Sequence, residues 1–222
     1  MLRLSHVTKT FNKGTVTEKR ALTGVDLTLN DGDFVTVIGG NGAGKSTLLN
    51  MIAGVYPLDS GVIELDGKDI SRLSEAQRAK YLGRVFQDPM RGTAADMQIV
   101  ENLALARRRG KRRALTLLMA TLTEPKLLLL DEHTAALDPK TAAKVLELTE
   151  EIISERKLTA LMVTHNMTDA IRLGNRLIMM ADGRVIYDVS GDEKKSLTVS
   201  DLLRKFEEVN GSALDNDRML LS

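Results

Sequence analysis

A glycine-rich segment, GGNGAGKS at residues 39–46, has the residue types and spacing of a phosphate-binding loop. Its small residues leave consecutive backbone N–H groups free to surround phosphate oxygens, and the helix that follows directs its positive end at the same charge. Lys45 supplies a cation for the γ-phosphate, and the Ser46 hydroxyl is placed to bind Mg²⁺. The alternative is a strand–helix turn that holds GKS by chance. The strand pattern before the loop and the helix pattern after it favour the phosphate loop. The residues expected to contact the nucleotide here are Gly39, Gly40, Asn41, Gly42, Ala43, Gly44, Lys45, Ser46 and Thr47.

Two acids follow the buried run LLLL near the middle of the chain. Asp131 is predicted to hold Mg²⁺ through its water shell, and Glu132 is predicted to orient or activate an attacking water. A pair of acids at a strand end is also common as a solvated surface feature. The phosphate loop upstream favours the catalytic interpretation.

Polar residues end two further predicted strands. His165 follows the strand in LTALMVTH and can donate a hydrogen bond to the γ-phosphate, while Gln87 in RVFQD offers an amide to Mg²⁺ or to the attacking water. Taken alone, a histidine at a strand end is more often a surface residue or a hydrogen-bonded core residue, and the glutamine can equally be a surface residue. However, ligands bind at the carboxyl ends of parallel strands, so three strands that end in suitable polar residues predict a site for a nucleoside triphosphate.

The elements that must position these residues can be read from hydrophobic periodicity. Residues 2–11 and 21–29 alternate apolar and polar residues, as half-buried strands do, whereas FVTVIG at 34–39 is typical of a strand buried on both faces. Asp66-Gly67 and Asp182-Gly183 indicate hairpin turns. Alternating strands and helices in the middle of the chain predict an α/β fold with an added antiparallel β layer.

Helix ends are also indicated by the sequence. Gly54 can close the helix after the phosphate loop, and Ser74 with Gln77 forms a capping-box pattern that opens a helix for Gly83 to close. Asp138 can cap a long amphipathic helix that runs through residue 156. A final helix is predicted over residues 200–210.

Composition and charge limit the functional classes. The 222 residues carry 31 basic and 30 acidic side chains, a net charge of +1, which gives no global reason to expect a nucleic-acid partner. The absence of Cys excludes disulfides and thiolate metal sites. The apolar stretches are far shorter than the ~20 residues that span a bilayer. A local basic run at 107–113 is compatible with a nucleic-acid or membrane-surface contact, but a solvated charged face is favoured over both. No interleaved aromatic residues support base stacking.

Together these motifs resemble the ATP-binding subunits of ABC transporters over nearly the whole chain. GGNGAGKST is similar to the family's phosphate loop, VFQD to its glutamine loop, LLLLDEHTAALD to its metal-binding strand, catalytic glutamate and dimer-contacting loop, and VTHN to its switch histidine. TFN, with Phe11, resembles the aromatic loop that stacks on adenine, although such a residue can also simply pack.

The resemblance also implies roles for individual residues. The family residue that corresponds to Asp138 helps communication across the dimer, and this role is compatible with helix capping. The resemblance implies ATP and Mg²⁺ as ligands, Glu132, His165 and Gln87 in catalysis, and Ser46, Gln87 and Asp131 around the metal.

The resemblance implies a P-loop NTPase fold, with a RecA-like, mostly parallel sheet and an antiparallel β layer. One ABC-type ATPase domain is expected over residues 1–222. Its core with the β layer comprises 1–90 and 114–189, a truncated helical subdomain remains at 91–113, and a C-terminal helix and tail occupy 190–222.

The family's signature sequence, LSGGQ, is absent from the place where the resemblance predicts it. In the family it opens a helix directed at the γ-phosphate bound by a second subunit. Here the chain reads RRRGKRRALTLLMATL, in which only Gly110 and Arg112 match the pattern. Either the chain lacks most of its helical subdomain, with Arg113 joined directly to Ala114, or a segment carrying the signature is missing from the sequence near Arg113. The intact remaining motifs favour the second account.

The implied partners are a transmembrane permease, a second copy of the chain in an ATP-sandwich dimer and, indirectly, a solute-binding protein. The implied location is the cytoplasmic face of the cell membrane. GTVTEKRAL and MVTHNMTDAIRLGNRLIMM resemble an importer branch, so solute uptake is expected and nucleic acid is not. The main alternative is a module that binds ATP without turnover, which the junction near Arg113 supports. A P-loop kinase is disfavoured because nothing downstream resembles an acceptor lid.

Overall fold

Residues 1–86, 125–135 and 137–210 are described by the structure, a computed structural model of the chain. Several sequence predictions lie outside these residues: Gln87, the helical subdomain at 91–113, the basic run 107–113 and the junction between Arg113 and Ala114. The described residues contain every other predicted site residue.

Ten strands form two sheets in the described parts of the chain. In chain order they are β1 (Leu2–Phe11), β2 (Lys19–Leu29), β3 (Phe34–Gly39), β4 (Ser60–Leu65), β5 (Lys68–Asp69), β6 (Leu82–Val85), β7 (Leu127–Asp131), β8 (Ala160–Val163), β9 (Arg176–Ala181) and β10 (Arg184–Ser190). The smaller sheet has the order β2-β1-β4-β5, and the larger has the order β10-β9-β3-β8-β7-β6.

The smaller sheet is the predicted antiparallel β layer. β1 pairs antiparallel with both β2 and β4, and the alternation in β1 buries Leu2, Leu4 and Val7 on one face. The hairpin at Asp66-Gly67 joins β4 to β5 as the sequence predicts. This sheet packs into the same hydrophobic core as the helix after the phosphate loop.

The larger sheet is parallel except for its β9–β10 hairpin. β3 lies between β8 and β9, and β7 lies between β6 and β8, with parallel pairing at all four contacts. Every residue of β3 is buried, as is every residue of β8, which explains their continuous apolar sequences. Since these strands run in one direction, the phosphate loop, Asp131 and His165 lie at strand ends on the same edge of the sheet.

Six helices are found in the described residues. They are α1 (Lys45–Ala53), α2 (Glu75–Arg78), α3 (Pro139–Glu155), α4 (Met167–Arg172), α5 (Gly191–Lys195) and α6 (Val199–Asn210). Asp138 caps α3 by accepting a hydrogen bond from the Thr141 N–H at 3.0 Å, with Pro139 in the first turn. Gly54 ends α1 in the left-handed conformation, with φ 82°. These predicted helix ends are confirmed.

One predicted helix end is wrong. The capping box of Ser74 and Gln77 is present, but α2 ends at Arg78 and Gly83 does not close it. The chain turns where the Tyr81 N–H bonds to the Arg78 carbonyl, and Gly83 then lies inside β6, paired with Leu128. Parallel pairing with β7 therefore decides the conformation of Gly83.

The predicted fold class is confirmed by this arrangement: a mostly parallel α/β sheet with helices and an antiparallel β layer. None of the helices in the described part of the chain is long and apolar enough to cross a bilayer.

Candidate functional site

A cavity of about 300 Å³ opens at the carboxyl edge of the larger sheet. Lys45, Glu132 and His165 line it together, although they come from three different strand ends. The complete set of lining residues is Phe11, Lys19, Ala21, Asn41, Gly42, Ala43, Gly44, Lys45, Ser46, Thr47, Glu132 and His165. Most of the residues predicted from motifs are therefore brought to one concave surface.

The backbone of the phosphate loop depends on glycine at Gly44. This residue has φ 101°, and a Cβ placed on it would lie 2.5 Å from the Ala21 carbonyl oxygen. It precedes α1 and provides no side-chain cap, so the first-turn N–H groups of the helix have no side-chain acceptor there. A helix start of this kind attracts phosphate oxygens.

The Lys45 ammonium is buried at the bottom of this loop. Its Nζ donates hydrogen bonds to the carbonyl oxygens of Gly39 at 2.6 Å and Gly40 at 3.0 Å. Burial lowers the pKa of Lys45, and the charges of Glu132 and Asp131 oppose that shift. An ammonium group has three hydrogens; two hold the loop, and the third has no hydrogen-bond acceptor among residues 1–86, 125–135 and 137–210, so it can reach a phosphate.

Asp131 ends β7 next to a buried guanidinium. Its carboxylate lies 3.8 Å from Arg84, whose guanidinium also donates to the Asn50 side-chain oxygen at 2.6 Å. Burial raises the pKa of Asp131, while the charge of Arg84 acts in the opposite direction. Asp131 does not itself line the cavity, but Lys45, Glu132 and His165 are close enough for their charges to affect its pKa.

Glu132 and His165 are in direct contact. The imidazole Nε2 of His165 lies 2.5 Å from Oε1 of Glu132, and the Glu132 side chain is 9% exposed. The Glu132 N–H donates to the Val163 carbonyl at 3.0 Å, which joins the end of β7 to the end of β8. Glu132 adopts φ 45°, a conformation that is uncommon for a residue other than glycine. Such strained backbone is frequent at functional sites.

Phe11 and Lys19 form the side of the cavity contributed by the β layer. They are paired across β1 and β2, and the Phe11 ring packs edge-on against Tyr56 with centroids 5.1 Å apart. Lys19 was not predicted from the sequence. Its Nζ lies 3.1 Å from where a Cβ on Gly42 would be, which places a cation over the phosphate loop. Lys19 reaches the cavity because it pairs with Phe11 in the β1–β2 register. That register could not be predicted from the sequence of the turn between the two strands.

The donor set fits a magnesium ion held jointly by protein and nucleotide. Ser46 presents a hydroxyl on the cavity wall and Asp131 a carboxylate behind it, while Gln87 lies outside the described residues. Within 1–86, 125–135 and 137–210 no cluster of three His, Cys, Asp or Glu side chains could hold a metal unaided. Mg²⁺ commonly takes one or two carboxylates together with phosphate oxygens and water, which matches this sparse set.

Asp138 is exposed and lies outside the cavity of its own chain. Hydrogen bonds from Thr141 lower the pKa of Asp138, as expected for a carboxylate at a helix N-terminus. The capping role is observed, whereas communication across a dimer stays a prediction.

Comparisons of the sequence with a family model and with known proteins agree on one family. A sequence model described as ABC transporter matches residues 22–109. The tyrosine transport ATP-binding protein of Clostridioides difficile is 40% identical, over 93% of this chain and 99% of that protein. The aliphatic sulfonates import ATP-binding protein SsuB of Ralstonia nicotianae is 31% identical, over 86% of this chain and 73% of that protein.

A solved structure agrees with the fold. The dimeric, post-hydrolysis state of an ATP-binding cassette bound to ADP and Pi superposes with a TM-score of 0.68, at 27% identity. The match covers 86% of this chain and 98% of that chain. The expected P-loop NTPase fold of the ABC type is thereby confirmed.

The alignment with the Clostridioides protein also contains positions that this chain does not fill. It runs over 248 positions, yet 93% of a 222-residue chain is only about 206 residues, so about 40 aligned positions have no counterpart here. The family model stops matching at residue 109, immediately before GKRRALTLL. Both observations agree with the shortfall inferred from the absent LSGGQ sequence.

Proposed function

Because the chain belongs to the ATP-binding subunits of ABC transporters, we propose that it binds ATP with Mg²⁺ in this cavity and hydrolyses it to drive solute uptake through a separate membrane permease. One observation carries the proposal. The buried ammonium of Lys45 and the contact between Glu132 and His165 face the same cavity as the phosphate loop. A cation beside an anion-binding loop and a side chain that can position a water are groups that P-loop enzymes use for phosphoryl transfer, and the imidazole can orient the carboxylate.

The binding step follows from the loop geometry. The first-turn N–H groups of α1 surround the phosphates, and Lys45 donates its remaining hydrogen to them. Lys19 adds a second cation above Gly42. Phe11 faces the cavity from the β layer and is proposed to stack on the adenine ring.

The chemical step is assigned to Glu132. Its carboxylate accepts a proton from a water whose oxygen attacks the γ-phosphorus, while the bond to the bridging oxygen breaks and leaves ADP and phosphate. His165 holds the carboxylate through its Nε2 contact. Ser46 and Asp131 would hold Mg²⁺, with Gln87 as a further proposed ligand. Mg²⁺, when bound, neutralises charge on the phosphate oxygens.

The partners are proposed from the relatives. Relatives of this chain are named for tyrosine transport and for import of aliphatic sulfonates, and one solved neighbour is a dimer. These names and that assembly support a permease partner, a second copy of the chain and attachment to the cytoplasmic face of the membrane. A solute-binding protein would deliver the solute to the permease from the other side. ATP binding would bring two copies together, and hydrolysis would let them part.

Hydrolysis is tested with Glu132→Gln, which keeps the shape of the side chain and removes its basicity. We expect the variant to bind Mg·ATP with an affinity within about threefold of wild type, while steady-state turnover falls by about 10²-fold or more. Turnover is measured by phosphate release and affinity by calorimetry. A wild-type chain that binds Mg·ATP without releasing phosphate would contradict the proposal and identify a binding module. Such a result would agree with the absence of an LSGGQ sequence from the chain.

A further inference from the structure

His133, the residue after Glu132, is buried and bonded to a helix. It is 2% exposed, and its Nε2 lies 3.1 Å from the hydroxyl oxygen of Thr149. Thr149 is 0% exposed and belongs to the core-facing side of α3, with Val145 one turn earlier. Neither residue faces the cavity, so a direct role toward nucleotide is not assigned to them.

The direction of this hydrogen bond is fixed by a second one. The Thr149 hydroxyl donates its single hydrogen to the Val145 carbonyl at 2.7 Å. Its oxygen can therefore act only as an acceptor toward the imidazole. His133 consequently carries a hydrogen on Nε2 and donates it to Thr149.

Glu132, the residue before His133, has a sparsely populated backbone conformation. Glu132 adopts φ 45° with its side chain against His165. Its N–H is fixed to the Val163 carbonyl, and its own carbonyl accepts from the Ala135 N–H, both at 3.0 Å. A sparsely populated conformation persists only where the surroundings determine it from several sides. Helix α3 can provide one of these constraints. It is 17 residues long and is capped at its start by Asp138, so it offers a stable support for the hydrogen bond from His133.

We infer that His133 and Thr149 are positioning residues for the catalytic glutamate: their buried hydrogen bond ties the segment after Glu132 to α3 and so keeps the carboxylate against His165. The inference deepens the proposed function and rests on it where turnover is concerned. It assigns a specific role to the side chain at position 133, which touches neither the proposed nucleotide nor the metal.

Three threonine substitutions separate positioning from general destabilisation. Thr149→Val removes the acceptor with little change of shape, and Thr149→Ser keeps it. Thr36→Val is the matched control, since Thr36, a residue of β3, is also 0% exposed and its hydroxyl donates to the Ala170 carbonyl at 2.9 Å. All three are measured in the full chain, with unfolding curves to show that each is folded.

Kinetics provide the first readout. We expect Thr149→Val to lower kcat about tenfold to hundredfold, because a displacement of the order of 1 Å at the reacting centre has effects of that size. The Kd for Mg·ADP should stay within about twofold of wild type, since the phosphate loop is untouched. Thr149→Ser and Thr36→Val should keep the wild-type kcat.

Histidine NMR provides a readout that does not need turnover. The chain has three His residues, so each ring signal can be assigned with single His→Gln variants. Wild type should show an exchange-protected Nε2 proton on His133 that Thr149→Val loses. In the same variant the ring signals of His165 should shift, because the Glu132 carboxylate has moved, whereas Thr149→Ser and Thr36→Val should leave them in place.

The combinations of results are decisive. Loss of kcat together with a shifted His165 signal, confined to Thr149→Val, supports the inference. The inference is overturned if Thr149→Val keeps both the wild-type kcat and the wild-type His165 signal. It is also overturned if Thr36→Val loses as much kcat as Thr149→Val, or if Thr149→Val loses kcat without any change in the His165 signal. If the wild-type chain releases no phosphate, the proposed function fails, and the His133 and His165 signals alone decide the positioning role.

Discussion

The imidazole Nε2 of His165 lies 2.5 Å from Oε1 of Glu132, and this contact joins the ends of β7 and β8, which are parallel neighbours in the larger sheet. The Glu132 N–H bonds to the Val163 carbonyl of the same neighbouring strand. Backbone and side chain therefore fix the carboxylate from one side. In the proposed function the two residues act as a unit, in which Glu132 supplies the base and His165 holds it in place.

Replacing His165 should impair chemistry more than binding. We expect His165→Ala to lower steady-state ATP turnover by about 10²-fold, because the general base loses the partner that orients it. The affinity for Mg·ATP should change less than about threefold. The control is His6→Ala, since His6 is an exposed residue of β1 that contacts Asp26 away from the cavity. Full turnover in His165→Ala would contradict this account of the pair.

A side chain at Gly44 should disrupt the phosphate loop. Gly44→Ala would place a Cβ 2.5 Å from the Ala21 carbonyl oxygen, which is a steric clash. The backbone at position 44 also has φ 101°, which is strained for alanine. We expect Mg·ATP binding to be lost and the free energy of unfolding to fall by about 2 kcal/mol or more.

The matched control for Gly44 is Gly32→Ala. Gly32 also has a positive φ, of 80°, but a Cβ there would meet no atom within 4 Å. This variant should lose only about 1 kcal/mol of stability, from backbone strain, and should bind Mg·ATP normally. Equal effects of the two substitutions would show that the close approach to Ala21 is unimportant. Denaturant titration and calorimetry measure both quantities.

Arg78 should be important for the stability of α1. Its guanidinium is 1% exposed and donates to the carbonyl oxygens of Met51 and Ile52 at 2.8 Å, in the last turn of the helix, and also to those of Leu73 and Ser71. The Met51 carbonyl also accepts from the Gly54 N–H at 3.1 Å, but carbonyls at a helix C-terminus otherwise have no partner within the helix. Arg78→Met should lower the free energy of unfolding by about 3 kcal/mol, because several buried acceptors lose their donor.

The control for Arg78 is Arg72→Met, at an exposed position in the same connection. This change should alter the free energy of unfolding by no more than about 0.5 kcal/mol. Both variants are compared by urea unfolding at one pH. A loss in Arg78→Met as small as that of the control would contradict the assigned role.

Local patterns were sufficient to predict most elements and much of the cavity lining. Continuous apolar runs identified β3 and β7, and the acids at the end of β7 and the histidine after β8 were expected at one sheet edge because parallel strands bring their carboxyl ends together. The cap at Asp138 and the turn at Gly54 were equally visible, since both depend on one residue type at one position.

Features that depend on long-range packing were not predictable. Lys19 reaches the cavity only through the register of β1 with β2, and Arg84 lies beside Asp131 only because β6 pairs with β7. His133 meets Thr149 because α3 folds back over the end of β7. Gly83 was expected to end a helix and instead lies in a strand, since pairing with Leu128 outweighs the local glycine preference.

The nucleotide site is tested most directly by the affinity of Lys45→Ala for Mg·ATP, measured by calorimetry beside Lys13→Ala, which changes an exposed lysine outside the cavity. The buried ammonium of Lys45 is the cation assigned to the phosphates, so its removal should weaken binding by about 10²-fold, while Lys13→Ala should bind like wild type. A folded Lys45→Ala chain with wild-type affinity would show that the triphosphate does not bind at this loop, and the proposed function would then be wrong.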